Sequence, residues 1–193
     1  MARWHNRTAS AVIRASRSHR PRRLCGAAPA LLMLAAAPAA AQGGASDPTD
    51  NLPTVDVAEM LGAANTCLAA TGSAAVDVGV FTQAGWNAAP LTDEDGEAIE
   101  VPVTFLTRAA GDPLVVIPVV EGAPPVCVLM GVVTAGQAAV PAVQAAFAEA
   151  FGAGQTDGDE AVYTQGAHMI ALDFEEDDEQ GFIAQAAVIQ PGD

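Results

Sequence analysis

Two acidic runs hold most of the side chains that could do chemistry in this chain. Residues 92–100 (TDEDGEAIE) set five carboxylates around Gly96, and residues 173–179 (DFEEDDE) set six around Phe174. Carboxylates at that density either hold a hard cation such as Ca²⁺ or splay into water, because like charges do not converge without a counter-ion. An EF-hand loop needs oxygen ligands at positions 1, 3 and 5, glycine at 6 and a bidentate glutamate at 12. Placing Gly96 at the glycine position puts Asp93 and Asp95 on ligand positions, but Leu91 on the first and Pro102 on the last. That register fails twice, so Asp95-Gly96 reads as a turn leading into a strand. Irregular Ca²⁺ binding is the sharper alternative, with Asp93, Asp95, Glu97, Asp173, Glu175 and Asp177 as its ligands. No other cofactor is expected.

Other chemistries fail for want of residues. Beyond residue 41 the chain has one histidine, His168, two serines, Ser46 and Ser73, one arginine, Arg108, and no lysine. There is no G-x-S-x-G nucleophile elbow and no Gly-Lys phosphate loop. A zinc site would need three or four ligands, and only one imidazole is on offer. His168 alternates with Ile170, Leu172 and Phe174 along one strand face, which makes it a packed residue near a sheet rim. A glycosidase-type carboxylate pair has acids in plenty but few aromatics to hold a sugar. Trp86 and Arg108 are the remaining candidates for contact with a ligand or partner. Trp86 reads most simply as an anchor at the core or rim, and Arg108 as the partner of a carboxylate.

The N-terminus explains where the cations went. Seven of the eight basic residues are arginines between Arg3 and Arg23, an apolar run follows over residues 26–42, and Ala39-Ala40-Ala41 offers small residues for cleavage. A basic region, a short apolar region and a small-residue site make a signal peptide over residues 1–41. Pro29 and Pro38 interrupt the apolar run, which is short for a membrane span. All 23 acids lie after residue 41, so the cleaved chain carries one arginine against 23 acids, a net charge of −22. Such a surface repels nucleic acid and anionic membranes. The expected location is periplasmic or secreted, with no membrane insertion after cleavage, and the expected partner is a protein or small ligand. Cleavage leaves two cysteines, Cys67 and Cys127, which in an exported chain predict one disulfide.

Residues 42–54, rich in Gly, Pro, Asp and Asn, read as a flexible tail before a single domain over residues 55–190. Asp56 and Glu59 form a capping box for a helix over 57–71, on whose buried stripe Cys67 falls. Residues 74–86 fit a short helix ending at Gly85 or a strand, and helix is the reading taken. Strands follow over 99–107, 114–120 and 126–133, then a second main helix over 137–151 with Pro141 in its first turn. Two or three more strands follow, over 161–164, 168–174 and 182–189. Pro102 and Pro118 suggest edge strands or bulges. Helix followed by strands occurs twice, the order a diverged duplication would leave, although the halves do not align residue by residue. The predicted class is α+β: an antiparallel sheet of about five or six strands with two main helices packed on one face and one disulfide.

A helix carrying a cysteine, an alanine-rich stretch ending in Gly85-Trp86, and a strand with Cys127 before an alanine-rich helix with Phe147 and Phe151 complete the picture. In these features the chain resembles small uncharacterised exported proteins of GC-rich Gram-negative bacteria. The resemblance implies export and brings no activity with it. The functional expectation is an exported acidic domain that is non-catalytic and acts through binding or interaction. A Ca²⁺-responsive protein using loops 92–100 and 173–179 is the alternative, and a hydrolase comes third.

Overall fold

In the computed structural model the described residues are Thr49, 51–93, 95 and 97–191, all within a unit that spans Gly43–Asp193. The expected signal peptide and residues 42–48 and 50 of the expected tail lie outside them.

Helix α1 is Val57–Ala70, capped by Asp56, whose carboxylate accepts the Glu59 N–H at 3.0 Å. Its buried stripe is Met60, Ala63, Ala64, Cys67 and Ala70, at the i, i+3, i+4, i+7 spacing of an amphipathic helix. Helix α2 is the six-residue Val78–Gln83, capped by Asp77 and pinned by buried Phe81. Strands β1 (Asn87–Ala88), β2 (Val103–Thr107), β3 (Leu114–Pro118) and β4 (Val126–Val132) come next. A 3₁₀ turn at Gly136–Ala139 opens helix α3 (Val140–Phe151), with Pro141 in its first turn. Strands β5 (Gln155–Asp157), β6 (Glu160–Gln165), β7 (His168–Asp177) and β8 (Gly181–Ile189) complete the chain.

The strands form one antiparallel sheet in the order β1-β2-β3-β4-β8-β7-β6-β5. The sheet therefore has eight strands rather than five or six, while the two main helices and the short helix expected within residues 74–86 are all present. The two additional strands are the edge pieces β1 and β5, in which every residue is exposed. They carry no apolar period and exist because a neighbour's backbone has groups to pair. Pro102 and Pro118 also correct their reading. Pro118 ends β3, which is flanked on both sides, and the Pro102 carbonyl accepts the Val119 N–H. They stop strands rather than mark an edge.

All three helices stand on one face. Their buried residues join Leu106, Val115, Leu129, Ala186, Leu172 and Ala161 in a single core. Phe147 and Tyr163 seal its far end, where the Tyr163 hydroxyl donates to the Gln144 carbonyl at 2.9 Å. Cys67 of α1 and Cys127 of β4 form the expected disulfide, with Cα atoms 5.8 Å apart and both residues fully buried.

The two halves repeat each other. Adding 57 to both numbers of the β3–β4 pairs Leu114–Met130 and Val116–Val128 gives Ala171–Ala187 and Asp173–Gln185, pairs of β7 with β8. The buried positions Met60, Ala63, Cys67 and Thr71 recur 80 residues later as Val140, Val143, Phe147 and Phe151. The first half is thus longer by 23 residues between helix and strands, the stretch that holds α2, β1 and the acidic turn. Over the 17 equivalent positions of β2–β4 and β6–β8 only Thr107 and Thr164 are identical. Only the pattern of burial is shared.

Two tests follow from this packing. Closing a loop of 60 residues, the disulfide should contribute about 4 kcal/mol in the chain-entropy model. Replacing both cysteines by alanine should therefore lower the denaturation midpoint strongly, and reducing the intact protein should add the mass of two hydrogens. Gly131 has no room for a methyl group, since a Cβ there would lie 2.5 Å from Val55 Cγ2. Gly131→Ala should cost about 1–3 kcal/mol in a urea melt by displacing Val55 from the core.

Candidate functional site

The one arginine of the domain is held in a polar knot. Arg108 leaves the end of β2, and the β2–β3 turn brings Asp112 back beside it. The Arg108 Nε donates to Asp112 Oδ2 at 2.8 Å, and Nη2 donates to the other carboxylate oxygen. The Ala109 N–H donates to Oδ2 as well, at 3.0 Å. Asp112 is buried, so this bidentate pairing satisfies a carboxylate that would otherwise be costly. Glu59 of α1 reaches Arg108 at 3.5 Å. The guanidinium lies 5.1 Å from the centroid of the Trp86 indole, a cation–π contact. Trp86 is 1% exposed and meets Phe81 edge-on.

The structure therefore brings Trp86 and Arg108 together, but Trp86 lies beneath Arg108 and offers no face to a ligand. Their arrangement fastens α1, α2 and the β2–β3 turn to one another. The Arg108 hydrogen bonds hold the Asp112 carboxyl down at about 2. Glu59 moves the other way, because its protonated form can hydrogen-bond Asp112 and because the two charges repel.

The acidic runs are used locally. Asp93 accepts the N–H groups of Asp95 and Glu97, at 3.0 and 2.8 Å, and Thr92 bridges Ala98 across a small hairpin. Asp177 accepts the N–H groups of Glu179 and Gln180 and so shapes the β7–β8 turn. Among the described residues no three His, Cys, Asp or Glu side chains converge to hold a metal. The second run also needs a correction. The strand expected to stop at residue 174 continues through most of the run, because β7 extends to Asp177. Alternation along the strand puts Phe174 in the core and Asp173, Glu175 and Asp177 on the opposite face. His168, the first residue of β7, is half-buried, with Nε2 2.7 Å from the Thr71 carbonyl at the end of α1.

That opposite face carries none of the three helices. Across six strands the register aligns one apolar row: Phe105, Val116, Val128, Ala187, Ala171 and Val162. The next row toward the β7–β8 turn runs Leu114, Met130, Gln185, Asp173 and becomes polar at its end. Gln185 is 4% exposed, and among the described residues its Oε1 has no hydrogen-bond partner. Asp173 is half-buried and its carboxyl is pushed up, first by desolvation and then by repulsion from Glu160, Glu175 and Asp159. At the rim beyond β2 and β3, Ile99, Val101, Val119 and Val120 are exposed. Sequence reasoning missed this face. Its signal was the lone glutamine in the otherwise apolar run IAQAAVI, residues 183–189.

A groove of about 390 Å³ opens at one end of the sheet, between the 3₁₀ turn and the β7–β8 turn, lined by Val132, Thr134, Gln137, Glu176, Gln180 and Phe182 among others. Gln180 is spent on the incoming chain there. It accepts the Leu52 N–H and donates to the Thr49 carbonyl, both at 2.8 Å.

No described helix is long and apolar enough to cross a membrane. Comparison of this chain with protein-family models, curated proteins and solved structures returns no match.

The two shifted aspartates bend the pH–stability curve in opposite directions. Asp112, with its folded pKa at about 2, contributes stability that is complete above the unfolded value near 4 and lost as pH falls through 2. Asp112→Asn should thus cost about 2 kcal/mol at neutral pH and much less below pH 2. Asp173 has a raised folded pKa, so the folded chain binds its proton more tightly and stability falls as pH rises from the unfolded toward the folded value. Asp173→Asn should therefore raise the neutral-pH melting point. Because the acids of both runs cap turns, Ca²⁺, Mg²⁺ and Na⁺ at matched ionic strength should raise the melting point equally. A rise specific to Ca²⁺ would give the acidic runs a binding role.

Proposed function

We propose that this chain is an exported, non-catalytic interaction domain, cleaved after Ala41 and acting in the periplasm or outside the cell, whose contact surface is the exposed apolar rim of the sheet beyond β2 and β3. The observation that carries the proposal is the group of apolar side chains Ile99, Val101, Val119 and Val120, which are 46%, 38%, 67% and 52% exposed. The Val119 N–H donates to the Pro102 carbonyl, so the two segments lie side by side. The apolar row on the helix-free face does not serve, because Phe105, Val128 and Ala187 are already buried. Apolar side chains grouped at one exposed rim have the composition of a surface that another molecule covers.

Catalysis has little support. Both cysteines are joined in the disulfide, His168 is bonded to a backbone carbonyl, and Arg108 is held by Asp112. The disulfide supports an oxidising compartment.

Paired substitutions around β3 test the surface in the exported protein. Val119→Lys, on the proposed contact rim, should shift the melt by no more than a few degrees, while Val115→Lys, in the helix-side core, should prevent folding. A photocrosslinker at position 119 should yield protein adducts in the producing cell, and one at Leu68 on α1 should not. Equal damage from both lysines, or no adduct at 119, would remove the proposal. The intact mass of the exported protein should correspond to a chain that starts at Gln42.

A further inference from the structure

The repeat supplies an internal control for the exposed apolar rim. Val119 and Val120 follow β3, and the 57-residue offset that relates β3–β4 to β7–β8 puts Glu176 and Asp177 at the equivalent positions. The second half builds the same place with two carboxylates, and β7 runs on through both of them. Exposed valines are therefore not a demand of the fold. They hold apolar surface in water that burial under a partner would stabilise.

Acids flank the same rim. The stretch that lengthens the first half delivers the acidic turn to its border. There the Asp93 N–H donates to the Glu97 carbonyl at 2.9 Å and the Ile99 N–H to the Leu91 carbonyl at 2.8 Å, so the hairpin ends where the rim begins. Asp93 is spent on shaping that turn. Asp95, Glu97, Glu100 and Glu121 are exposed. Glu100 stands between Ile99 and Val101, and Glu121 follows Val120.

Charge then selects among the molecules that could cover the rim. A second copy would set its own Glu97, Glu100 and Glu121 near the same acids, on a domain with one arginine against 23 acids. An anionic lipid surface meets the same repulsion. Resting on the contact-rim reading above, we propose that the rim and the acidic turn together dock an apolar segment of a partner protein that carries lysine or arginine at its flanks. Ile99, Val101, Val119 and Val120 supply the contact area. Asp95, Glu97, Glu100 and Glu121 steer the segment in and select against neutral or acidic flanks.

Peptides with one shared apolar centre, flanked by lysine, serine or glutamate, test this when titrated by fluorescence anisotropy into the exported protein. The lysine-flanked peptide should bind about tenfold more tightly than the serine-flanked one, with the gap closing at high salt, and the glutamate-flanked peptide should not bind. Val119→Glu/Val120→Asp, which copies the second half, should melt within a few degrees of the parent. It should nevertheless weaken the lysine-flanked peptide by about tenfold or more, although it adds two acids. Glu97→Gln/Glu100→Gln/Glu121→Gln should weaken that peptide by about tenfold. Glu149→Gln/Asp178→Asn/Glu179→Gln removes the same charge on α3 and at the β7–β8 turn, and should leave binding within about twofold.

Undiminished or tighter binding by Val119→Glu/Val120→Asp shows attraction to the net charge alone and overturns the proposal. Equal weakening by the two triple variants does the same. Equal affinity for the lysine- and serine-flanked peptides, lost in the valine double variant, overturns the selection by acids and leaves the contact rim standing. If no peptide binds, the proposal falls, and the adduct at position 119 decides the rim reading separately. A concentration-dependent dimer that Val119→Glu/Val120→Asp dissolves makes a second copy the occupant and also overturns the proposal. Should the double variant fail to fold, Val120→Asp alone, at a residue 52% exposed, decides the same question.

Discussion

The antiparallel seam between β4 and β8 is the interaction on which the other contacts depend. Seven residue pairs join the strands there, from Val126–Ile189 to Val132–Ile183, and each half of the chain contributes its last strand. Every other strand pairs within its own half. Without the seam there would be two small sheets, each with a single main helix and too little core to stand alone. The seam places α1 over both β4 and β8 and lets α1 meet α3, so that one apolar cluster serves both halves. The disulfide reinforces the same place, since Cys127 belongs to β4 and Cys67 to the helix lying above it.

What the sequence made legible divides along a physical line. Elements that bury a stripe were readable, because burial demands a period: α1, α3, and the strands containing 103–107, 114–118, 126–132, 161–164, 168–174 and 182–189. Elements held by backbone pairing alone were not, since Asn87–Ala88 and Gln155–Asp157 bury nothing and leave no pattern. The disulfide was readable from compartment and count. The repeat was visible as an order of elements but not as an alignment. What the halves share is which positions are buried, and Val, Leu, Ala and Phe all satisfy that demand.

The candidate sites illustrate the limits in more detail. The Arg108–Asp112 pair was half legible, because a turn was expected between them, yet nothing in the sequence sets Trp86 beneath the guanidinium. That contact spans 22 residues and depends on how α2 returns to the sheet. The run DFEEDDE was misjudged because its acids were taken as one cluster. In a strand the period of two separates them, so Asp173, Glu175 and Asp177 belong with Gln185 on a face rather than with Glu176. Gln185 itself is invisible without the register, because a glutamine among alanines and isoleucines means little until its neighbour across the strand is known.

The asymmetry between the halves then becomes the informative quantity. The two halves share a pattern of burial, so their differences can be read position by position. Drift among apolar residues conserves burial, as in the exchange of Leu129 for Ala186 or Val115 for Leu172. The exchange of Val116–Val128 for Asp173–Gln185 does not follow that rule. It introduces a desolvated carboxylate, and an amide oxygen with no hydrogen-bond partner among the described residues, at positions where the other half is apolar.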